Sequence, residues 1–215
     1  MQSKLTKILI SWSGGKDSCL ALSSVPKVDG LLTTFDEHSR CVPAHGISYE
    51  LLTEQARSLG LPLLAIPLPH MASNREYEER ISHFLNSYGD LSLVFGDLHL
   101  EDIRSYKEAL CYRLGVSASF PLWGSGSMKC AERFLKLGYK AIVCSVDCRF
   151  LDASFVGREF DEQFLKDLPA KIDPAGEYGE FHTFVYDGPI FNHPLCLRKG
   201  KLRQEYYNYI CELEL

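Results

Sequence analysis

Residues 13–18 read Ser-Gly-Gly-Lys-Asp-Ser, between the apolar run Ile8–Leu9–Ile10 and a helix-like stretch from Lys16 to Ser24. Adjacent glycines let main-chain N–H groups approach an anion, and a helix N-terminus adds a favourable dipole. Lys16 supplies a point charge, and Ser13 and Ser18 supply hydroxyl donors. With Gly14 and Gly15 these residues are expected to hold a polyphosphate. Asp17 is an anion in the same place, so its tasks are to cap the helix, hold Mg²⁺ or orient the loop. The spacing is not Gly-x-x-x-x-Gly-Lys-Ser/Thr, because Asp17 follows Lys16, and it is not Gly-x-Gly-x-x-Gly, because the glycines are adjacent.

A second dense segment, "GEYGEFHTFVYDGPIF", covers 176–191. Glu177 and Glu180 are three residues apart and can hold a metal or accept from an amine. His182 can move a proton near neutral pH. Composition alone favours a plainer reading, a β-hairpin with solvated acids and a packed histidine. A third segment, "FGDLHLED" (95–102), brings Gly96, Asp97 and Glu101. The two acids are candidates for a metal or ribose contact, and equally for helix capping and first-turn dipole compensation. Phe35 and His45 flank the end of the second apolar run, where a nucleotide base would lie.

Positioning these groups takes a regular framework, and the hydrophobic pattern supplies one. Short apolar runs at 7–13, 28–35, 61–68, 91–97 and 117–123 read as strands. Between them, 16–24, 46–60, 74–89 and 101–115 read as helices, with Gly60 and Gly115 as stops and Asn74 as a cap candidate. Repeated strand–helix–strand units of this length predict a doubly wound, mainly parallel α/β sheet. Right-handed crossovers place the loops after the strands along one edge, where such sheets bind ligands. After about Trp123 the rhythm changes: a helix at 127–138, a strand at 140–147, an acidic helix at 157–169 and β-rich flanks around 180–191. The expected division is a nucleotide-binding domain over 1–120 and a smaller C-terminal α+β lobe over 121–215.

Bulk properties narrow the classes. A net charge of −5 on 215 residues argues against a dedicated nucleic-acid binder. The eight cysteines form no Cys-x-x-Cys pair, and no apolar stretch approaches the ~18 residues of a membrane span. A cytoplasmic protein with no membrane partner is the expectation. The basic run "LRKGKLR" (197–203) reads as a solvated face. His38, His70, His83 and His193 read as surface or loop residues.

The SGGKDS loop resembles the PP-loop, Ser-Gly-Gly-x-Asp-Ser, of the N-type ATP pyrophosphatases. The 176–183 segment resembles the GE-x-GE-(F/Y)-x-T signature of the diphthine–ammonia ligase family, a branch of that superfamily. The segments 95–108, 151–161 and 187–191 are similar to the same family, especially to its short archaeal and bacterial forms. Ala175 stands where many relatives carry cysteine, and Tyr178 where asparagine or glycine is expected. The resemblance implies a PP-loop fold that binds ATP and Mg²⁺, adenylylates a carboxylate, releases pyrophosphate and transfers ammonia. Its acceptor, bound by the 121–215 lobe, would be diphthine on the translocating elongation factor or another carboxylate. It further implies Lys16, Asp17, Glu177, Glu180 and His182 as catalytic candidates. The phosphate loop, Phe35, His45, Gly96 and Asp97 would bind nucleotide, and Asp17 and Glu101 would bind metal. The alternatives are a PP-loop enzyme acting on a small metabolite or a tRNA base, and a non-catalytic ATP-binding protein. A homodimer is compatible with either.

Overall fold

The computed structural model describes residues 6–88 and 90–215. Five strands, β1 (Lys7–Ser11), β2 (Gly30–Asp36), β3 (Leu63–Leu68), β4 (Leu91–Val94) and β5 (Ser117–Ser119), form a parallel sheet in the order β3-β2-β1-β4-β5. The chain steps outward from β1 through β2 to β3, then returns to the other side of β1 as β4. That reversal makes the carboxyl ends of β1 and β4 the switch point, where an open α/β sheet leaves a crevice.

The connecting helices are α1 (Lys16–Ser23), α2 (Tyr49–Leu59), α3 (Asn74–Leu85) and α4 (Glu101–Leu114). Alternation along the strands divides their side chains between two cores. Ile10, Leu31 and Val94 pack with Cys19, Leu20, Leu51 and Leu52 of α1 and α2. Leu9, Leu32 and Leu93 pack with Ile81, Leu85 and Cys111 of α3 and α4. The doubly wound reading of the sequence is the architecture observed.

Local chemistry sets the helix ends. Ser48 caps α2 by accepting from the Leu51 amide, so the helix begins after the Gly46 turn rather than at it. α3 is capped by Ser73, not Asn74. Ser73 and Glu76 exchange side-chain and main-chain bonds in a reciprocal box, which Asn74, one residue later, cannot form. Gly60 and Gly115 end α2 and α4 in the left-handed region, at φ 68° and 67°.

The remaining elements are α5 (Ser127–Lys136), β6 (Lys140–Asp147), a one-and-a-half-turn α6 (Glu162–Asp167), β7 (Phe181–Asp187), β8 (Arg198–Glu205) and β9 (Asn208–Glu214). Their four strands form a second, antiparallel sheet in the order β7-β6-β9-β8. The expected acidic helix over 157–169 shrinks to α6, because Phe160 pairs its main chain with Ala141 of β6. The basic run at 197–203 lies largely in the edge strand β8, where every residue but the half-buried Arg203 is exposed. Residues 120–126 connect β5 to α5. The core does not break there: Phe134, Phe164, Phe181 and Phe184 belong to the same buried cluster as α1 and α2.

Gln55 joins the parts. It is fully buried on α2. Its Oε1 accepts from Trp12 Nε1 at 2.8 Å, and its Nε2 donates to the carbonyls of Gly14 at 3.0 Å and Val185 at 2.6 Å. The Gly14 carbonyl also accepts from the Val185 amide at 2.9 Å. The end of β1, the glycine loop and β7 are thereby fixed to one side chain. Gln55→Leu would strand a buried indole N–H and a buried carbonyl, at about 1–3 kcal/mol each. Urea unfolding should show a loss of roughly 3 kcal/mol; a loss below about 1 kcal/mol would show that the loop is held by other contacts.

Candidate active site

The glycine loop connects β1 to α1 at the switch point. Gly14 has φ +79°, and a Cβ there would stand 2.7 Å from Leu52 Cδ2 and 3.2 Å from Phe184 Cδ2. Only glycine fits that turn. A Cβ at Gly96 would meet the Asp17 carbonyl carbon and oxygen at 2.8 and 2.9 Å. Gly96 is thus what lets the segment after β4 close onto the first turn of α1. No side chain caps α1. The Lys16 amide donates to Thr183 Oγ1 at 3.1 Å, which attaches the helix start to β7. Ser13 Oγ accepts from the Gly15 amide at 3.3 Å, and Ser18 Oγ donates to the Gly15 carbonyl at 2.9 Å.

Around this loop lies a cavity of about 600 Å³. Ser13, Gly15, Lys16, Asp17 and Ser18 form one wall. Thr33, Thr34 and His45 come from β2 and its following loop, Gly96 and Asp97 follow β4, Glu177 comes from the turn before β7, and His182 and Thr183 from β7 itself. Two residues expected here lie elsewhere. Phe35 stacks on Tyr49 with ring centroids 5.0 Å apart, off the cavity wall. Glu101 is exposed in the first turn of α4 and does not line the cavity; its place is that of a dipole-compensating acid. Among the described residues no group of three His, Cys, Asp or Glu gathers as a metal site.

The charged groups are strongly constrained. Lys16 is 3% exposed. Its ammonium binds Asp17 Oδ2 at 2.9 Å and the Ala175 carbonyl, over the rings of Phe181 and Phe160. Burial raises the Asp17 carboxyl above its ordinary range; Lys16 opposes the shift, and Asp173 and Asp97 add to it. Asp17 Oδ1 is buried and has no partner. Burial likewise raises Glu177, against the Leu98 amide that donates to its Oε1 at 2.7 Å. Asp97 is held by Lys107 through both oxygens, each at 2.7 Å.

Glu180, 3% exposed, spends its carboxylate on its own loop: Oε1 accepts from Asp173 N at 3.0 Å and Oε2 from Tyr178 N at 3.1 Å. It shapes the Gly176–Gly179 turn. His182 stacks against His45 with centroids 4.3 Å apart, tilted by 34°. Burial and Lys16 push His182 down to about 4, with Asp147 opposing. Burial, His182 and Lys16 push His45 well below its usual value. Both rings are uncharged at neutral pH.

Sequence reasoning missed Gln55, Thr183, Asp173 and Lys107 as site residues. Thr183 is the threonine of the GE-x-GE-(F/Y)-x-T pattern and was open to notice. Gln55 and Lys107 sit on amphipathic helices among similar polar residues, and nothing in spacing marks them.

The fold and loop define an α/β protein with a glycine-rich loop at the switch point of a parallel sheet. Residues 6–118 match the family model described as the diphthamide synthase N-terminal domain, and 126–214 the diphthamide synthase C-terminal domain. The chain belongs to the diphthamide synthase family. It is 24% identical over 235 aligned residues to a diphthine–ammonia ligase of Schizosaccharomyces pombe, covering 97% of this chain and 39% of that protein. The chain thus spans about two fifths of the length of that relative. A solved structure from Methanocaldococcus jannaschii, described as a predicted subunit of tRNA methyltransferase, overlays with a TM-score of 0.42 at 18% identity, over 69% of this chain and 82% of that one. No helix among the described residues is long and apolar enough to cross a membrane.

The histidine pair predicts a pH dependence. An unfolded histidine titrates near ~6.5, whereas folded His182 resists protonation down to about 4. As pH falls between these values the unfolded chain binds more protons, so stability must fall with it. His182→Gln should flatten that slope in urea unfolding measured from pH 7 to pH 4. An unchanged slope would mean that the ring titrates freely in the folded protein.

Proposed function

We propose that this protein is an ATP-dependent amide-forming ligase of the diphthine–ammonia ligase type. It adenylylates a carboxylate, releases pyrophosphate and transfers ammonia to the acyl group. The observation that carries the reading is the attachment of the glycine loop to β7: the Lys16 amide bonds to Thr183, and the Gly14 carbonyl to Val185. A phosphate-binding loop and the GE-x-GE-(F/Y)-x-T segment thereby face one cavity, as a reaction joining a nucleotide to an acceptor requires. Membership of the family supports the same reading.

The residues divide the work by what they can reach. The glycines and the uncapped α1 terminus suit the β- and γ-phosphates, with Lys16 as the fixed positive charge. Asp17 Oδ1, buried and without a partner, fits a Mg²⁺ that would neutralise phosphate charge when bound. Thr33 and Thr34, at the end of β2, border the space for the nucleoside. Glu177 and the histidine pair, on the opposite wall, face the acceptor and the nitrogen nucleophile. Glu180 positions that wall through its two amide contacts. The proposed acceptor is diphthine on the translocating elongation factor.

The test is an assay with ATP, MgCl₂, ammonium chloride and elongation factor carrying diphthine. AMP and pyrophosphate should form in step with the amide. Lys16→Met should lower the rate by roughly 10²–10³-fold while leaving the fold intact by circular dichroism. ADP as the product, or no AMP with diphthine or with a panel of other carboxylates, would overturn the ligase reading.

A further inference from the structure

Three buried side-chain atoms lack a hydrogen-bond partner among the described residues: Asp17 Oδ1, His45 Nδ1 and Ser145 Oγ. Asp17 belongs to the phosphate loop. The other two belong to a separate polar cluster. Ser145 stands directly opposite His182 across the β6–β7 pair, so the two side chains share a sheet face. The His182 ring in turn stacks on His45. His45 and His182 line the cavity, and Ser145 lies behind them on β6. Buried polar atoms in native proteins find partners, and His45 Nδ1, buried on a cavity-lining residue without one, marks a position for a small polar ligand.

We propose that His45 Nδ1 receives the nitrogen nucleophile and takes its proton, with His182 as a positioning residue. The inference deepens the ligase reading and rests on it. Nδ1 is buried and without a partner, so in the proposed state the proton is on Nε2 and Nδ1 presents a lone pair. The acids of the same wall are less suited: both oxygens of Glu180 and Oε1 of Glu177 already accept main-chain amides.

Lys16 lies near enough to disfavour positive charge on His45, and the same field disfavours an ammonium ion. Neutral ammonia can donate an N–H to Nδ1 and keep its own lone pair for the acyl carbon. In the transfer the C–N bond forms and the C–O bond to the adenylate phosphate breaks. AMP leaves with that electron pair. One N–H proton passes to His45 Nδ1 and returns to water when the product leaves. Packed against the ring at a tilt of 34°, His182 does not relay that proton in the proposed transfer; it holds the plane of the His45 ring.

The test uses the full chain with ¹⁵N-labelled histidine rings and a non-hydrolysable ATP analogue. Ammonium chloride is titrated at alkaline pH against tetramethylammonium chloride at equal ionic strength. The His45 Nδ1 resonance should be that of an unprotonated nitrogen and should move saturably with ammonia only. His182→Phe, which keeps a stacked ring, should retain the shift, and His182→Ala should lose it. A protonated Nδ1, or one silent to ammonia, overturns the assignment. In turnover, His45→Asn should lose about 10²-fold or more with ammonia and far less with hydroxylamine, whose more acidic N–H after attack needs less help from a base. Equal losses with both overturn the role. Wild-type amide formation with a silent ring overturns this assignment and leaves the ligase reading standing. A responsive ring in a protein that makes no AMP from any carboxylate overturns the ligase reading and the proton transfer with it.

Discussion

The fully buried amide of Gln55 holds the site together. It satisfies the Trp12 indole, the Gly14 carbonyl and the Val185 carbonyl at once. A glycine loop is conformationally costly, because glycine loses more freedom on folding than any other residue. Here that cost is met by hydrogen bonds from outside the loop. The second sheet supplies part of them: β7 is an edge strand, and the face of the edge that a neighbouring strand would occupy is used by Gly14 and Lys16. The phosphate loop is thereby treated as a short strand partner. The two sheets share one hydrophobic cluster for the same reason.

With the loop anchored, the electrostatics follow from burial. One lysine is enclosed among Phe160, Phe181, Asp17 and the Ala175 carbonyl. Its field and the lack of water keep His45 and His182 neutral, while the carboxyls of Asp17 and Glu177 are raised. Under the proposed function, such a site would favour uncharged nitrogen on one wall and phosphate on the other, and the nucleophile would keep its lone pair until the acyl adenylate had formed.

Much of this was legible in the residues. Short apolar runs separated by helical segments showed the parallel sheet, because the central strands are largely buried on both faces. The loop was legible because Gly-Gly-Lys after an apolar run has few other uses. The 176–183 segment showed itself through the density of acids, glycines and a histidine. Other features were not legible. Ser73 rather than Asn74 caps α3 because the reciprocal bond with Glu76 sets the register. The run at 197–203 was read as a solvated face, and nearly all its residues are exposed; that they form an edge strand was not legible, because such a strand has the same composition. Phe35 and Glu101 were placed at the site by their distance from the strand ends, but the faces they occupy on β2 and α4 turn them away from it.

The sequence by itself determined the α/β class, the phosphate loop and the two segments that accompany it, because hydrophobic period and glycine placement are local properties. Only the tertiary structure decided what each polar side chain does. Glu177 and Glu180 are the same residue type three positions apart, yet one faces the cavity and the other ties its own turn. His45 and His182 are 137 positions apart in the chain and in contact in space. Protonation, tautomer and availability depend on burial and on neighbours brought in by the fold, and these are not encoded in the spacing of the residues themselves.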